Sequence, residues 1–455
     1  MNYDAIIIGT GQAGPPLALS LAKKGKKVAI VEKSHLGGTC VNTGCTPTKT
    51  YIASARRAFV AGNSEELGVG IEGKVKVNLK QIKRRKDKII QESRDSWEKS
   101  FSEEPDISLI RGKAKFIDPK SIEVDGKIFS AETIYINVGA RPRIPEGFEN
   151  VPVLTNETML ELEEIPEHLI IVGGGYVGLE FAQMFNRFGS KVTILERGER
   201  LMKQEDEDIS EAIAEILKKE DINIRFKSEC ISAKPAGEGV EIQLKCETGE
   251  PSIKGSHLLI ATGRIPNTDD LGLDTAGINT DKKGYIQVND RLQTNVNHIF
   301  ALGDCNGEGA FTHTSYNDFQ IIDSHLQGTK KRYLSDRIPC YAAYIDPSLA
   351  RVGMNLNEIR EKGIKANIAV KPMKEIARAK EMGETEGLLK IYTEEGTDKI
   401  LGASFLGTRA DEYIHAIIDV MYADAPYTVI KNAVHIHPTV SELIPTMLED
   451  LKPLE

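Results

Sequence analysis

Two cysteines, Cys40 and Cys45, stand with four residues between them in the stretch Gly37-Gly38-Thr39-Cys40-Val41-Asn42-Thr43-Gly44-Cys45-Thr46-Pro47-Thr48-Lys49-Thr50. The other four, Cys230, Cys246, Cys305 and Cys340, are scattered and read as small buried hydrophobes. In a chain of 455 residues this is no disulfide scaffold, and one close pair points to redox or metal chemistry. The spacing is too wide for a C-x-x-C site, but the two could span one helical turn. Pro47 suits the first turn of a helix, which would place Cys45 at a helix N-terminus. The dipole there favours the thiolate, the nucleophilic and electron-donating form of the side chain.

A second kind of chemistry is written in glycines. Ile6-Ile7-Ile8 leads into Gly9-x-Gly11-x-x-Gly14, and Leu169-Ile170-Ile171-Val172 leads into Gly173-x-Gly175-x-x-Gly178. At one constant offset, Gly25 answers Gly189 and Glu32 answers Glu196. Each copy reads as an apolar strand, a glycine turn, an apolar helix, a glycine stop and a second strand ending in an acid. The first glycine permits the tight turn, the second lets backbone approach a pyrophosphate, and the third lets helix pack on sheet. Free N–H groups at the helix N-terminus hold the phosphates, and the acid accepts from a ribose 2′-hydroxyl. Two such units predict two bound dinucleotides. A carboxylate at Glu196 repels a 2′-phosphate, so NAD(H) is expected over NADP(H), although Arg197 and Arg200 beside it could accept one.

The chain is long enough for two to four domains. With 40% apolar and 27% charged residues it has the balance of a globular protein rather than a disordered one. A net charge of −9 argues against nucleic acid as a partner and against a polybasic membrane contact. The one basic cluster, Lys80 to Lys88, has helical spacing and reads as a solvated helix face. No apolar run is long enough to span a membrane. The chain opens almost directly on its first apolar strand, with no signal-like or transit-like segment before it, which predicts a cytoplasmic protein.

The cysteine segment G-G-T-C-x-N-x-G-C-x-P-x-K resembles the active-site signature of the class I pyridine nucleotide–disulfide oxidoreductases. That family includes dihydrolipoyl dehydrogenase, glutathione reductase and mercuric reductase. The resemblance runs along essentially the whole chain and includes Tyr176-Val177-Gly178-Leu179-Glu180, Ala261-Thr262-Gly263-Arg264, Ile299-Phe300-Ala301-Leu302-Gly303-Asp304 and His435-Ile436-His437-Pro438-Thr439-Val440-Ser441-Glu442. It implies FAD in the first glycine unit and a nicotinamide dinucleotide in the second. Cys40 and Cys45 would form the redox disulfide, Cys40 exchanging with substrate and Cys45 facing the flavin. Thr39, Lys49, Ala114, Gly139, Gly303, Asp304 and Thr312 would hold FAD, with Asp304 on the ribitol and the backbone of Ala114 and Thr312 in use. Lys49 would pair with Glu180, Tyr176 would gate the nicotinamide site, and Gly263 and Arg264 would close that domain. Electrons would pass from NADH through FAD and Cys45 to Cys40. His437, oriented by Glu442, would act as base toward Cys40 of the neighbouring subunit, so a homodimer is expected; His435 would pack or hydrogen-bond at the interface.

The implied architecture is α/β, with two Rossmann-like dinucleotide domains and a C-terminal α+β dimerisation domain. The FAD domain is expected at 1–147 and 270–337, the NAD(P) domain at 148–269 and the interface domain from 338 to 455. Within the last, Asn367–Val370, Leu388–Tyr392 and Ile400–Phe405 read as strands and Asp411–Asp424 as one helix. Glu196 and the His437 segment fit dihydrolipoyl-type oxidation and reduction of a small thiol or disulfide. Thr46-Pro47-Thr48-Lys49-Thr50, Phe311-Thr312-His313-Thr314-Ser315-Tyr316 and Ile376-Ala377-Arg378-Ala379-Lys380 resemble instead a mercuric-reductase-like branch. That branch includes reactive-chlorine-resistance flavoproteins, which reduce metal ions such as Hg(II) and Cu(II) or oxidants. A non-catalytic redox sensor is the third alternative, and it would need neither His437 nor the Lys49–Glu180 pair.

Overall fold

The computed structural model describes residues 1–148, 150–246, 249–328 and 331–454. Its first sheet is centred on Asn2–Ile8, which runs parallel to Val28–Glu32 on one side and Lys127–Ile136 on the other. Ile6 and Ile7 are fully buried, as expected for a parallel strand covered on both faces. Ile107–Arg111 extends one edge, while Ala114–Asp118 and Ser121–Val124 add antiparallel pairing at the other. From far along the chain, Ile299–Ala301 returns to pair with Lys127–Ile136. The helices of this part are α1 (Gly14–Ala22), α2 (Gly38–Asn42), α3 (Cys45–Gly62) and α4 (Leu79–Ser102).

The short helix α5 (Asn156–Met159) precedes the second unit. Here His168–Val172 lies parallel between Lys191–Leu195 and His257–Ile260. Helix α6 (Tyr176–Phe188) follows its glycine turn, and α7 (Glu207–Lys219) comes later. The two turns are built alike. A Cβ on Gly9 would lie 2.3 Å from the Asn137 carbonyl oxygen, and one on Gly173 would lie 2.5 Å from that of Ala261. An antiparallel ladder of Ala140–Pro142 with Arg264–Pro266 joins the two units. Helix α8 (Thr312–Gln327) leads to a third, antiparallel sheet, whose neighbours run Cys340–Ala343, Ser348–Gly353, Ile400–Gly407, Leu388–Glu394 and Ala366–Pro372. This is the α/β architecture expected from sequence.

Helix α6 is where the three units meet. Its Phe181 and Phe185 share one apolar cluster with Tyr51 of α3 and with Leu349 and Leu406 of the third sheet. Its polar stripe faces the same way. Arg187 pairs with Glu220 at 2.7 Å and with Asp346 at 2.6 Å, and Asp346 also takes Arg56 of α3 at 2.7 Å. Gln183 donates to the Asp346 carbonyl at 2.8 Å. This half-buried knot ties α3, α6 and the Asp346 segment together.

Two local expectations give way to tertiary contacts. The Lys80–Lys88 segment lies on α4, but Lys86 is buried, not solvated; it donates to the Leu160 carbonyl at 3.1 Å and pairs with Glu161 at 2.6 Å. The single helix expected over Asp411–Asp424 is two short ones, Ala410–Tyr413 and His415–Tyr422, meeting at Ile414.

Candidate active site

Cys40 and Cys45 do not share one helical turn. Cys40 lies on α2 and Cys45 opens α3, with Thr43 and Gly44 between the helices. Side-chain amides hold this break. Asn42 donates to the carbonyls of Leu36 at 2.9 Å and Gly38 at 2.8 Å, and Asn156 of α5 donates to that of Thr43 at 2.8 Å. The two sulfurs are not bonded to one another here, and each perturbs the ionisation of the other. The pair is strongly polarised. Donation from the Cys40 thiol, aided by the Thr312 hydroxyl and the Lys49 charge, lowers Cys45 from 9.0 to about 6 against the opposing effect of burial. Cys40 moves the other way, held as a thiol by its bond to Cys45, by burial and by the neighbouring negative charge. The two sulfurs are thus pushed in opposite directions, Cys45 toward the thiolate and Cys40 toward the thiol.

Lys49, one turn into α3, meets Glu180 of α6 at 2.7 Å. The other Glu180 oxygen accepts the Tyr344 amide at 2.8 Å, and the Lys49 ammonium lies 4.7 Å from the Tyr344 ring centre. Thr312 places Oγ1 3.2 Å from Cys45 Sγ. Tyr176 lies against Phe311, with ring centres 5.6 Å apart. Phe311 also stacks on His313 at 5.4 Å and on Tyr341 at 5.5 Å. The Tyr341 hydroxyl bonds the buried Glu205, which Arg351 meets at 3.3 Å. Phe311 thus receives rings from all three units. No local spacing signals this, and only the resemblance of the segment to the mercuric-reductase-like branch marks it in the sequence.

The first glycine loop carries a further lock. Asn137 is buried; its side-chain oxygen accepts the Gly14 amide at 3.1 Å and its amide donates to the Leu302 carbonyl at 2.9 Å. Ala261 stands at the matching place in the second unit, where no side-chain amide is available for such a lock. Glu32 accepts the Thr10 amide at 3.0 Å and the Ser34 amide at 2.8 Å. Glu196 accepts those of Gly174 and Gly198, both at 2.7 Å. Each acid is therefore held at the rim of its own glycine loop.

A cavity of about 520 Å³ is lined by Gly11, Thr39, Cys40, Cys45, Lys49, Gly139, Tyr176, Glu180, Arg264, Asp304 and Thr312. Gly9, Gly14, Glu32 and Gly303 lie outside that wall, as does Ala114, buried in its strand. Gly173, Gly175, Gly178, Glu196 and Gly263 belong to the second loop and its sheet end, also off the wall. His437 and Glu442 do not reach the cavity of their own chain either. The imidazole Nδ1 stands 3.0 Å from the Glu442 carboxylate, with the ring largely exposed. His435 Nδ1 faces the Ser441 carbonyl at 3.4 Å.

A family model described as pyridine nucleotide-disulphide oxidoreductase matches residues 3–318, and one for the dimerisation domain of these proteins matches residues 340–448. The chain belongs to that family. It is 36% identical to the probable pyridine nucleotide-disulfide oxidoreductase RclA of Escherichia coli, over 97% of each chain. To the mercuric reductase of Staphylococcus aureus it is 35% identical, over 91% of this chain and 76% of the other. Its fold matches the Cu(II) complex of the HOCl-induced flavoprotein disulfide reductase RclA from Escherichia coli with a TM-score of 0.89, at 34% identity and 99% coverage of both.

This pyridine nucleotide-disulphide oxidoreductase is an enzyme of FAD and a pyridine nucleotide, and its cavity suits the flavin cofactor. Arg264 Nε is buried on the wall without a hydrogen-bond partner, 3.7 Å from an Asp304 carboxylate whose pKa burial raises. A polyhydroxylated anion would satisfy both. Beside α6, the Cβ position of Gly175 meets open space, leaving the backbone amides accessible to a second dinucleotide. Bound FAD supplies the two-electron carrier between nicotinamide and cysteine pair. Among the described residues no helix is long and apolar enough to cross a membrane.

The polarised pair predicts a pH response. In the reduced enzyme, iodoacetamide should modify Cys45 readily at pH 7, and its rate should fall as pH drops through about 6. The sign follows from a lowered pKa, which keeps the anion present above that value and removes it below. Peptide mass mapping reads the result, and a midpoint near 9 would contradict the polarisation.

Proposed function

We propose that this enzyme is an NADH-dependent disulfide oxidoreductase of dihydrolipoyl-dehydrogenase type, acting on a small thiol or disulfide through Cys40. The carrying observation is the placement of the two sulfurs on the cavity wall: Cys45 opens α3 with Thr312 Oγ1 at 3.2 Å and the Lys49–Glu180 pair one turn on, while Cys40 lies on the separate helix α2. Cys45, beside Lys49 and Glu180, faces the flavin and receives electrons; Cys40 exchanges with the acceptor. His437, fixed by Glu442, serves the partner subunit's Cys40, which agrees with its absence from the cavity of its own chain. Val434, Ile436, Val429 and Tyr422 are exposed in one chain, as an apolar face covered by a second copy would be. The FAD domain is assigned to 1–147 and 270–337, the nicotinamide domain to 148–269 and the interface domain to 338–455.

NADH is the assigned reductant because the Glu196 carboxylate occupies the rim of the second loop, where a 2′-phosphate would meet it. kcat/KM with NADH should exceed that with NADPH by at least about tenfold, the effect of one unfavourable charge contact of about 1.4 kcal/mol. A preference for NADPH would overturn the role given to Glu196.

A second reading is reduction of Cu(II), Hg(II) or hypochlorous-acid-derived oxidants, favoured by the likeness to RclA and to mercuric reductase. Among the described residues no cluster of three or more metal-ligating side chains occurs, so a metal ion would meet the thiol pair as substrate. Steady-state assays with dihydrolipoamide plus NAD⁺, glutathione disulfide, Cu(II), Hg(II) and chloramines distinguish the two. Rapid dihydrolipoamide oxidation supports the first reading, and turnover confined to metal ions or chloramines replaces it with the second.

A further inference from the structure

The family resemblance makes use only of the Thr312 backbone. Its side chain, however, brings Oγ1 to 3.2 Å from Cys45 Sγ across 267 residues of sequence. Each residue opens a helix: Cys45 is the first residue of α3, and Thr312 is the first residue of the sixteen-residue α8. Two helix N-termini therefore converge on one sulfur, and both dipoles favour negative charge there. Either atom could donate while both carry a proton; once the sulfur is a thiolate, only the hydroxyl can.

We propose that Thr312 is a positioning residue for the redox pair, its hydroxyl donating to Cys45 Sγ and fixing that sulfur as the anionic member. The inference rests on reading Cys45 as the flavin-side thiol. Loss of solvent opposes ionisation of Cys45, while Cys40, the Thr312 hydroxyl and the Lys49 charge favour it; the last two favour an anion at Cys40 as well, so the selectivity of Thr312 rests on its 3.2 Å contact to Cys45. The hydroxyl is the donor that is neither consumed in disulfide formation nor tied to Glu180. It holds the sulfur as an anion whenever the disulfide opens, leaving the protonated Cys40 for the acceptor.

The test uses flavin-loaded enzyme carrying Cys40→Ser, so that Cys45 titrates alone. Into it are placed Thr312→Val, which keeps the shape, and Thr312→Ser, which keeps the donor. Two signals are followed against pH: the long-wavelength thiolate-to-flavin absorption and the rate of Cys45 alkylation. Valine should raise both midpoints by roughly one to two pH units, the size of a lost hydrogen bond to a charged group. With a parent midpoint near 6, alkylation at pH 6 should then be about five- to fiftyfold slower, as that shift requires. Serine should restore the parent midpoint. An unmoved midpoint in the valine variant overturns the proposal, as does an equal shift with serine, which would point to methyl packing instead. If valine unseats the flavin, Thr312→Ala in the same background supplies the comparison. Absence of the absorption in the Cys40→Ser parent would defeat the flavin-side reading of Cys45, while the alkylation rates would still report on Thr312.

Discussion

Cys45→Ser should leave the enzyme able to accept electrons from NADH and unable to deliver them. Cys45 opens α3 with Lys49 one turn behind it, and it is the sulfur pushed toward the anion. Serine is near in size but is not ionised there, so it neither forms a disulfide with Cys40 nor donates electron density to the ring. In anaerobic stopped flow the bound flavin should still bleach with NADH at close to the native rate, because the nicotinamide loop and Tyr176 are untouched. No long-wavelength band should follow. Turnover with a disulfide acceptor should fall by about four orders of magnitude or more, the scale seen when one member of a catalytic unit is removed. Cys40→Ser should behave differently. It too loses turnover, yet Cys45 is then permanently free, so the band should be present before any reductant is added. The contrast assigns the two sulfurs. If the Cys45 variant retains the band, or both variants behave alike, the order of the electron path is wrong.

What could be read in the chain beforehand follows how local each determinant is. The glycine turns depend on residues a few positions apart, so Gly9 through Gly14 and Gly173 through Gly178 announced two strand–turn–helix units. Pro47 likewise announced that a helix begins at Cys45, which it does. The break between α2 and α3 was not readable as such, because it depends on Asn42 and on Asn156, more than a hundred residues away. Lys86 looked like part of a solvated face because its buried acceptors, Leu160 and Glu161, lie in a distant segment. The same holds for Asn137, whose lock spans Gly14 and Leu302, and for the ring cluster on Phe311. Residue identity made each a candidate for a contact, and only the fold supplied the partner. The acceptor is hidden for a further reason: exchange at a thiol demands access and a proton rather than a shaped pocket.

That proton leads to the second large effect. Cys40 attacks only as a thiolate, and its hydrogen bond to Cys45 holds its pKa well above the usual 9.0. A base must therefore take the proton during exchange. Within the same chain the cavity offers His313 and His415. His313 is poorly suited to act as that base, because its Nε2 faces the Cys340 carbonyl at 2.8 Å and burial pushes its pKa below the usual 6.5. His437, by contrast, has Glu442 on Nδ1 at 3.0 Å, the base-and-orienter arrangement, and presents its ring outside its own subunit. His437→Gln should lower kcat for a disulfide acceptor by roughly 10²- to 10⁴-fold, the range of general base catalysis, with flavin reduction by NADH unchanged. His313→Gln should cost far less. Because the base is assigned to the other subunit, two dead variants should rescue one another. Reassociating Cys40→Ser with His437→Gln subunits at random makes half the dimers mixed. Each mixed dimer has one intact site, so about a quarter of native turnover should return. If mixing restores nothing while native subunits survive the same treatment, His437 serves its own chain or serves no acceptor at all.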